Sequence, residues 1–225
     1  MARSDEEMQV SPDSAGRPVV ARNVPRHRQQ GGAAGVLGNE KLTAMTGTIL
    51  LLGFFVEGLT VLEVRRLLFV HILVGALLIG PVLLKIASTG YRFVRYYTRA
   101  QPYVRKGPPA PVLRVLGPLV IATSLAVLGT GIALVVAGPG NGNWLFLHKV
   151  SFILWFGVMT VHVLNYAPRL PRMLAARSGG PGGAAAAEAV PGSAARWLAL
   201  TVSLAVGIVV AAVALHLSTS WDVSF

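Results

Sequence analysis

The chain contains no cysteine, and this absence removes several classes of site at once. Without thiols there can be no disulfide, no cysteine-ligated zinc, no iron–sulfur cluster and no haem attached through a C-x-x-C-H motif. Charged residues are also scarce, at 13% of the chain against about 25% in a typical soluble domain. Any cofactor must therefore be held by other ligands, and the low charge points to a bilayer as the solvent.

Motifs that mark common enzyme classes are missing as well. The sequence has no G-x-S-x-G, no H-E-x-x-H, no phosphate-binding P-loop and no dinucleotide fingerprint. The apolar runs also lack the paired carboxylates that proton-driven pumps often use. Enzymatic activity is therefore uncertain, and at most the chain is expected to be an electron-transfer subunit of an oxidoreductase.

Long apolar runs dominate what the chain does contain, and 53% of its residues are hydrophobic. A hydrocarbon core of roughly 30 Å takes about 20 helical residues, and backbone groups inside it must be satisfied within the segment. We therefore predict an all-α transmembrane helical bundle. The five predicted spans run from about residue 44 to 62, 67 to 86, 117 to 137, 144 to 167 and 197 to 217.

The segments between these runs predict the domain organisation. Residues 1–43 are polar, rich in Gly, Pro and Arg, and lack the apolar region of a cleaved signal, which is typical of a disordered cytoplasmic tail. Residues 44–167 are predicted to form a four-helix transmembrane core. Residues 168–196 are basic and then rich in Gly, Ala and Pro, as in a flexible cytoplasmic linker. Residues 197–225 then form an appended fifth helix and a short outer tail.

The distribution of positive charge predicts the orientation and the partners. Of the 20 Lys and Arg residues, 17 lie in the N-terminal tail or after the second and fourth spans, and the others are Arg65, Arg66 and Lys149. The positive-inside rule then puts the N-terminus in the cytoplasm and the C-terminus outside, in a bacterial inner membrane. Because the basic residues flank apolar spans, we expect membrane lipid and no nucleic acid as a partner. Residues 85–114, which interleave Arg with Tyr, are predicted to extend the second helix along the cytoplasmic surface.

Histidines inside the spans are the candidate functional residues, because ionisable side chains are costly in a membrane. His71 and His148 each lie four residues inside a span that enters from the outer side, so both rings should lie about 6 Å below that surface. Two imidazoles at one level on helices of a bundle are suited to ligate haem iron from opposite faces. Their alternative role is a structural hydrogen bond between helices.

A third histidine, His162, follows His148 by 14 residues, which puts both rings on one helix face about 21 Å apart. This H-x13-H spacing, together with His71, resembles the four-helix haem-binding core of bacterial cytochrome b561 and related membrane cytochromes b. The resemblance implies haem b held between paired histidines. However, the position that would pair with His162 is Lys85, and a protonated lysine does not ligate iron. We therefore expect one haem, with a second in doubt and His162 beside Lys85 instead lining a quinone or proton site.

Several neighbouring residues suit a haem near the outer face. Gly75 lies one helical turn from the first of the paired histidines, and glycine lets a backbone come close to a flat macrocycle. Arg65, Arg66 and Lys149 lie at the outer rim, where they could pair with haem propionates or extend to the headgroups. Glu57 could accept a hydrogen bond from an imidazole N–H or form a local ion pair with Arg65 or Arg66.

These residues favour a b-type cytochrome-like electron-transfer protein. We expect electrons to pass between membrane quinol and an external redox partner, with the haem supplying the one-electron chemistry. The alternative is a cofactor-free membrane scaffold or a small transporter-like protein.

Overall fold

Helices make up nearly all of the chain that the computed structural model describes. The described residues are 10–12, 18–20, 26–105, 107, 111–166, 192–219 and 221, with side chains from residue 35 onward except those of residues 111 and 166. The elements are β1 (Val10–Pro12), β2 (Pro18–Val20), α1 (Arg26–Leu62), α2 (Leu68–Tyr97), α3 (Gln101–Arg105), α4 (Pro111–Ala137), α5 (Gly142–Tyr166) and α6 (Ser193–Ser218). Strands β1 and β2 pair antiparallel, with Val10 opposite Val20.

Five of the helices are long and apolar enough to cross a membrane, and each contains one of the predicted runs. These segments are Gly35–Leu62, Leu68–Tyr97, Val112–Ala137, Gly142–Asn165 and Ser193–Ser218. Many large apolar side chains on them face outward, including Leu62 and Val136, which are 78% and 71% exposed. Apolar surface on this scale suits lipid rather than water. The protein is therefore a multi-pass membrane protein, as predicted, and its described residues are helical apart from the short strand pair β1–β2 and the turns.

Helix α1 begins well before the first predicted span. Its extension is held to α2 by polar contacts, in which Asn39 Nδ2 donates to the Ser88 carbonyl at 3.0 Å and Arg92 pairs with Glu40 at 3.4 Å. Hydropathy cannot show a helix that is stabilised in this way. Part of the segment predicted as a disordered tail is thus helical, and residues 1–9, 13–17 and 21–25 of that segment lie outside the described residues.

Helix α2 continues to Tyr97, so the helical extension predicted over residues 85–114 is confirmed for its first part and ends at that residue. Helix α3 then folds back, and its Tyr103 is buried with its ring 6.0 Å from that of Tyr91. The Arg95 guanidinium carbon lies 6.0 Å from the centre of the Tyr103 ring. Burial, followed by the neighbouring Tyr91, raises the pKa of the Tyr103 phenol above its ordinary value.

Helix α6 packs along α2 through two close backbone approaches. A Cβ atom added to Gly80 would overlap the Ser203 carbonyl oxygen, and one added to Gly207 would overlap the Leu77 carbonyl oxygen. Pro81 explains the second contact, since it has no N–H to donate to the carbonyl four residues earlier, which is that of Leu77. This carbonyl therefore lies against a glycine, where a weak Cα–H···O interaction can form.

The long helices associate mainly as pairs. Close contacts join α1 to α2, α4 to α5 and α6 to α2. The predicted linker before α6 lies outside the described residues from 167 to 191. A small apolar core forms where the first pair meets α4, and it consists of Leu50, Leu78 and Val82 surrounded by Phe54, Val74, Ile86 and Leu128.

Candidate functional site

Two imidazoles meet near one end of the bundle. Both short connections lie at this end, one between α1 and α2 (residues 63–67) and one between α4 and α5 (residues 138–141), and we call it the short-turn end. The ring centroids of His71 on α2 and His148 on α5 are 6.2 Å apart, with their planes at 69°. The structure thus brings together the two imidazoles that the sequence predicted at one depth.

The imidazole of His71 is held by side chains of α1. Its Nδ1 lies 2.8 Å from Glu57 Oε1 and 3.0 Å from Thr60 Oγ1. Of the two predicted roles of Glu57, contact with His71 is the one observed, because the ion pairs of the described residues include none to Arg65 or Arg66. A carboxylate accepts hydrogen bonds, so it fixes the proton on Nδ1 and leaves the lone pair on Nε2.

The imidazole of His148 is held by a side chain of α4. Thr130 Oγ1 lies 3.2 Å from His148 Nδ1, and it also donates to the Ala126 carbonyl at 2.7 Å. Since the threonine proton is engaged by that carbonyl, its oxygen is left to accept from the imidazole N–H. Ser151 Oγ, at 2.9 Å from Thr130 Oγ1, completes the group. Both histidines are thus arranged with Nε2 as the lone-pair nitrogen.

A glycine makes room on each side of the histidine pair. A Cβ atom on Gly75 would lie 3.0 Å from Glu57 Oε1, and one on Gly131 would lie 3.1 Å from His148 Cε1. Both distances are tighter than ordinary van der Waals contact. Gly75, which the sequence suggested as a surface for a macrocycle, thus gives space to the carboxylate that orients His71.

The separation of the rings suits ligation of a haem. An iron–nitrogen bond of about 2 Å on each side, plus about 1.1 Å from each nitrogen to its ring centre, would put the centroids roughly 6 Å apart. Ligation leaves each ring free to rotate about the bond to iron, so an interplanar angle of 69° is compatible with it. Within the described ranges, no three His, Cys, Asp or Glu side chains are grouped to hold a bare metal ion. Two imidazoles suit a haem better, because its porphyrin supplies the other four ligands.

The packing around the histidines leaves α5 apart from α1 and α2, while α4 contacts α2 directly. In the described part of the chain, α5 reaches α1 and α2 mainly through large side chains rather than through close backbone contacts. Phe54 on α1 and Trp155 on α5 bridge the pairs, with ring centroids 4.8 Å apart, and Trp155 Nε1 donates to Ser124 Oγ at 3.0 Å. Helices held apart by side chains are suited to receive a flat group between them.

The three basic residues that the sequence assigns to the outer rim lie at the short-turn end. Arg65 and Arg66 are exposed in the turn between α1 and α2, and Lys149 is exposed beside the second histidine. Their pairing with propionates stays a prediction.

A second polar group lies further along the same helices. Lys85 Nζ donates to the Thr43 carbonyl at 2.5 Å, and a Cβ atom on Gly47 would lie 2.8 Å from that nitrogen. His162 on α5 is half-buried and lies within electrostatic range of Lys85. An imidazole and an ammonium cannot together ligate iron, so these two residues do not suit a second haem.

The sequence did not single out Thr60, Thr130 or Ser151, which orient the imidazoles. Threonine and serine are common in membrane helices. Ser151 lies one turn from His148 on α5, but Thr60 and Thr130 lie on neighbouring helices, so no local spacing could have identified them. The remaining span histidine, His216, is exposed on α6, and the side chain of His27 lies outside those described. Comparison of the chain with protein-family models, curated proteins and solved structures finds no match.

Proposed function

We propose that this protein is a b-type cytochrome-like electron carrier in which His71 and His148 ligate one haem b. The observation that carries the proposal is the approach of the two rings to 6.2 Å, with each Nδ1 in contact with an oxygen of a neighbouring helix. Helices α1, α2, α4 and α5 would form the haem-binding core, and α6 would be added on the α2 side. A bound haem would supply one-electron chemistry that the side chains alone cannot.

The charge distribution supports an orientation with the short-turn end outside. Three basic residues, Arg65, Arg66 and Lys149, lie at that end, against 17 in the N-terminal segment or at and beyond the opposite ends of the second and fourth spans. The N-terminus would then be cytoplasmic and the C-terminus extracytoplasmic, in a bacterial inner membrane. Electrons would pass between membrane quinol and a redox protein that docks near the short-turn end.

Each residue of the site has a defined part in this function. Glu57 and Thr130 accept hydrogen bonds from the Nδ1–H groups of His71 and His148. These bonds fix the tautomer of each imidazole and leave Nε2 with the lone pair that would bind iron. Gly131 keeps the space that the second imidazole occupies. The three rim cations would balance carboxylates at the membrane surface. The contact between Phe54 and Trp155 would help to shield the site from water.

Absorption spectroscopy of the full-length protein, purified from haem-sufficient cells, tests the proposal. We expect the Soret and visible bands of a six-coordinate haem, and we expect H71A and H148A each to lose that spectrum. H216A is the matched control, since this histidine is exposed on α6, and it should keep the wild-type spectrum. Added imidazole should restore six-coordination in H71G, which separates loss of a ligand from loss of the fold.

Two results would reject the proposal. The first is a colourless wild-type protein that is nonetheless folded and helical, as the cofactor-free scaffold or transporter predicts. The second is a haem spectrum that survives replacement of both histidines. Retention of one haem in H162A would support the single-haem assignment, whereas loss of half the haem would show that a second is bound.

A further inference from the structure

The last turns of α2 and the short helix α3 form a hairpin, residues 91–105, at the end of the bundle opposite the short-turn end. The Tyr103 side chain of α3 is buried, and its ring centre lies 6.0 Å from that of Tyr91 on α2. The guanidinium carbon of Arg95 lies 6.0 Å from the centre of the Tyr103 ring, so the ring face helps to position this cation. Helix α3 also contacts α1. The segment, which we call the basic hairpin, is therefore a packed unit rather than a loose connection.

Positive charge dominates the surface of the basic hairpin. It contains no Asp or Glu, and its four arginines are Arg92, Arg95, Arg99 and Arg105. Among the described residues, the hairpin forms one ion pair, in which Arg92 lies 3.4 Å from Glu40 on α1. The side chains of the other three arginines are exposed. The hairpin thus presents a net positive surface, which favours an anionic partner.

The backbone at Arg99 has a conformation that favours glycine. Its φ angle is 58°, and no other non-glycine residue in the described ranges has a positive φ. A side chain is strained in this left-handed region, whereas glycine adopts it at no steric cost. The turn needs only backbone hydrogen bonds, from Arg99 N to the Tyr96 carbonyl and from Ala100 N to the Arg95 carbonyl, both at 3.0 Å. The exposed guanidinium of Arg99 is therefore suited to a role outside the fold.

Exposed aromatic rings indicate that the anionic partner is a lipid surface. Phe93 and Tyr97 are 57% and 60% exposed, and their ring centroids are 4.4 Å apart. Helix α2 has 30 residues. At 1.5 Å per residue it is about 45 Å long, so its last turns extend past a hydrocarbon core of roughly 30 Å into the headgroup region, where aromatic rings are favoured. An acidic soluble protein would match the arginines but would leave these rings uncovered.

We propose that the basic hairpin binds the headgroup of an anionic phospholipid, with Arg95 and Arg99 as the principal contacts to its phosphate. The two arginines flank the turn that the bond from Ala100 N to the Arg95 carbonyl closes. Arginine suits this ligand because its planar guanidinium can donate two parallel N–H bonds to phosphate oxygens. The inference goes beyond the proposed electron transfer and does not depend on a haem.

Native mass spectrometry of the full-length protein in detergent tests the site, with dioleoyl phosphatidylglycerol and dioleoyl phosphatidylcholine as probes. The two lipids have the same chains, so a difference in affinity reports the headgroup. We expect the wild type to bind phosphatidylglycerol at least about tenfold more tightly, since each basic residue near an anionic surface adds on the order of fivefold. R95Q and R99Q should each lose several-fold of this preference, and R99K should lose less because it keeps the charge.

R99G separates binding from folding, because it removes the guanidinium and also relieves the backbone strain. It should unfold at the same temperature as the wild type or higher, yet bind phosphatidylglycerol as weakly as R99Q does. R114Q is the matched control, since Arg114 is an exposed arginine in the first turn of α4, outside the hairpin. It should keep the wild-type preference.

Three results would overturn the proposal. The first is equal affinity of the wild type for the two lipids; if a polyglutamate peptide then bound tightly, the hairpin would instead be a surface for an acidic protein. The second is an equal loss of preference in R99Q and R114Q, which would reflect surface charge in general rather than this site. The third is a wild-type preference for phosphatidylglycerol in R99G.

Discussion

Replacing Glu57 with glutamine gives the sharpest measure of how α1 acts on the first histidine. E57Q keeps the shape and an acceptor oxygen beside His71 Nδ1 but removes the negative charge. The contact is 2.8 Å long, and the two side chains are only 21% and 16% exposed, so water screens it weakly. A charge-assisted hydrogen bond contributes roughly 1.5–3 kcal/mol and a neutral one about 0.5–1.5 kcal/mol, so the charge adds about 1–1.5 kcal/mol.

If His71 ligates a haem as proposed, the carboxylate would stabilise the ferric form, which carries one more positive charge than the ferrous form. If the whole difference appears in the redox equilibrium, E57Q raises the haem midpoint potential by about 40–65 mV, since 59 mV corresponds to a tenfold change for one electron. The assay is a dye-mediated redox titration followed by absorption in the visible bands. E63Q is the control, because Glu63 is an exposed carboxylate at the same end of the bundle and solvent screens its charge. An unchanged or lower midpoint in E57Q, or an equal rise in E63Q, would refute this reasoning.

Two further predictions concern stability in detergent. G80A should lower the thermal unfolding midpoint, at a cost of about 1–3 kcal/mol, because its methyl group would meet the Ser203 carbonyl oxygen. G90A is the control, because it makes the same change on the same helix with no atom within 4 Å of the added methyl group, and it should be neutral or stabilising. Equal effects of the two substitutions would contradict the packing of α6 against α2. The raised pKa of Tyr103 means that the unfolded phenol, with its ordinary value of 10.0, loses its proton first. Stability should therefore fall as the pH rises from about 10 toward the folded-state pKa, and Y103F should reduce this fall in unfolding curves measured between about pH 9 and 11.

The sequence predicted those features that depend on transfer of side chains into lipid. Each apolar run is long enough to span a bilayer, and each is a helix. The meeting of His71 and His148 was predictable because counting residues from the start of a helix gives the depth of a side chain. The depth of Glu57 likewise left two predicted partners, the His71 imidazole or the arginines of the following turn, and the structure shows the contact with His71.

Features that depend on specific contacts between helices were not predicted. The early start of α1 rests on polar pairs such as Glu40–Arg92, which hydropathy counts as unfavourable for a span. Thr130 orients an imidazole only because α4 and α5 lie side by side, and no local pattern reveals that neighbour. The space for the Lys85 ammonium likewise requires Gly47, a residue 38 positions earlier in the chain.

Pro81 has a consequence for how α2 holds His71 and Lys85 relative to each other. It interrupts the hydrogen-bond ladder of α2 between His71 and Lys85, so this helix consists of two stiff halves with a weak joint between them. Helix α6 crosses the joint and touches the backbone on its near side, where Gly207 meets the Leu77 carbonyl. Helix α6 therefore supports α2 beside this joint, between the helical segments that carry His71 and Lys85.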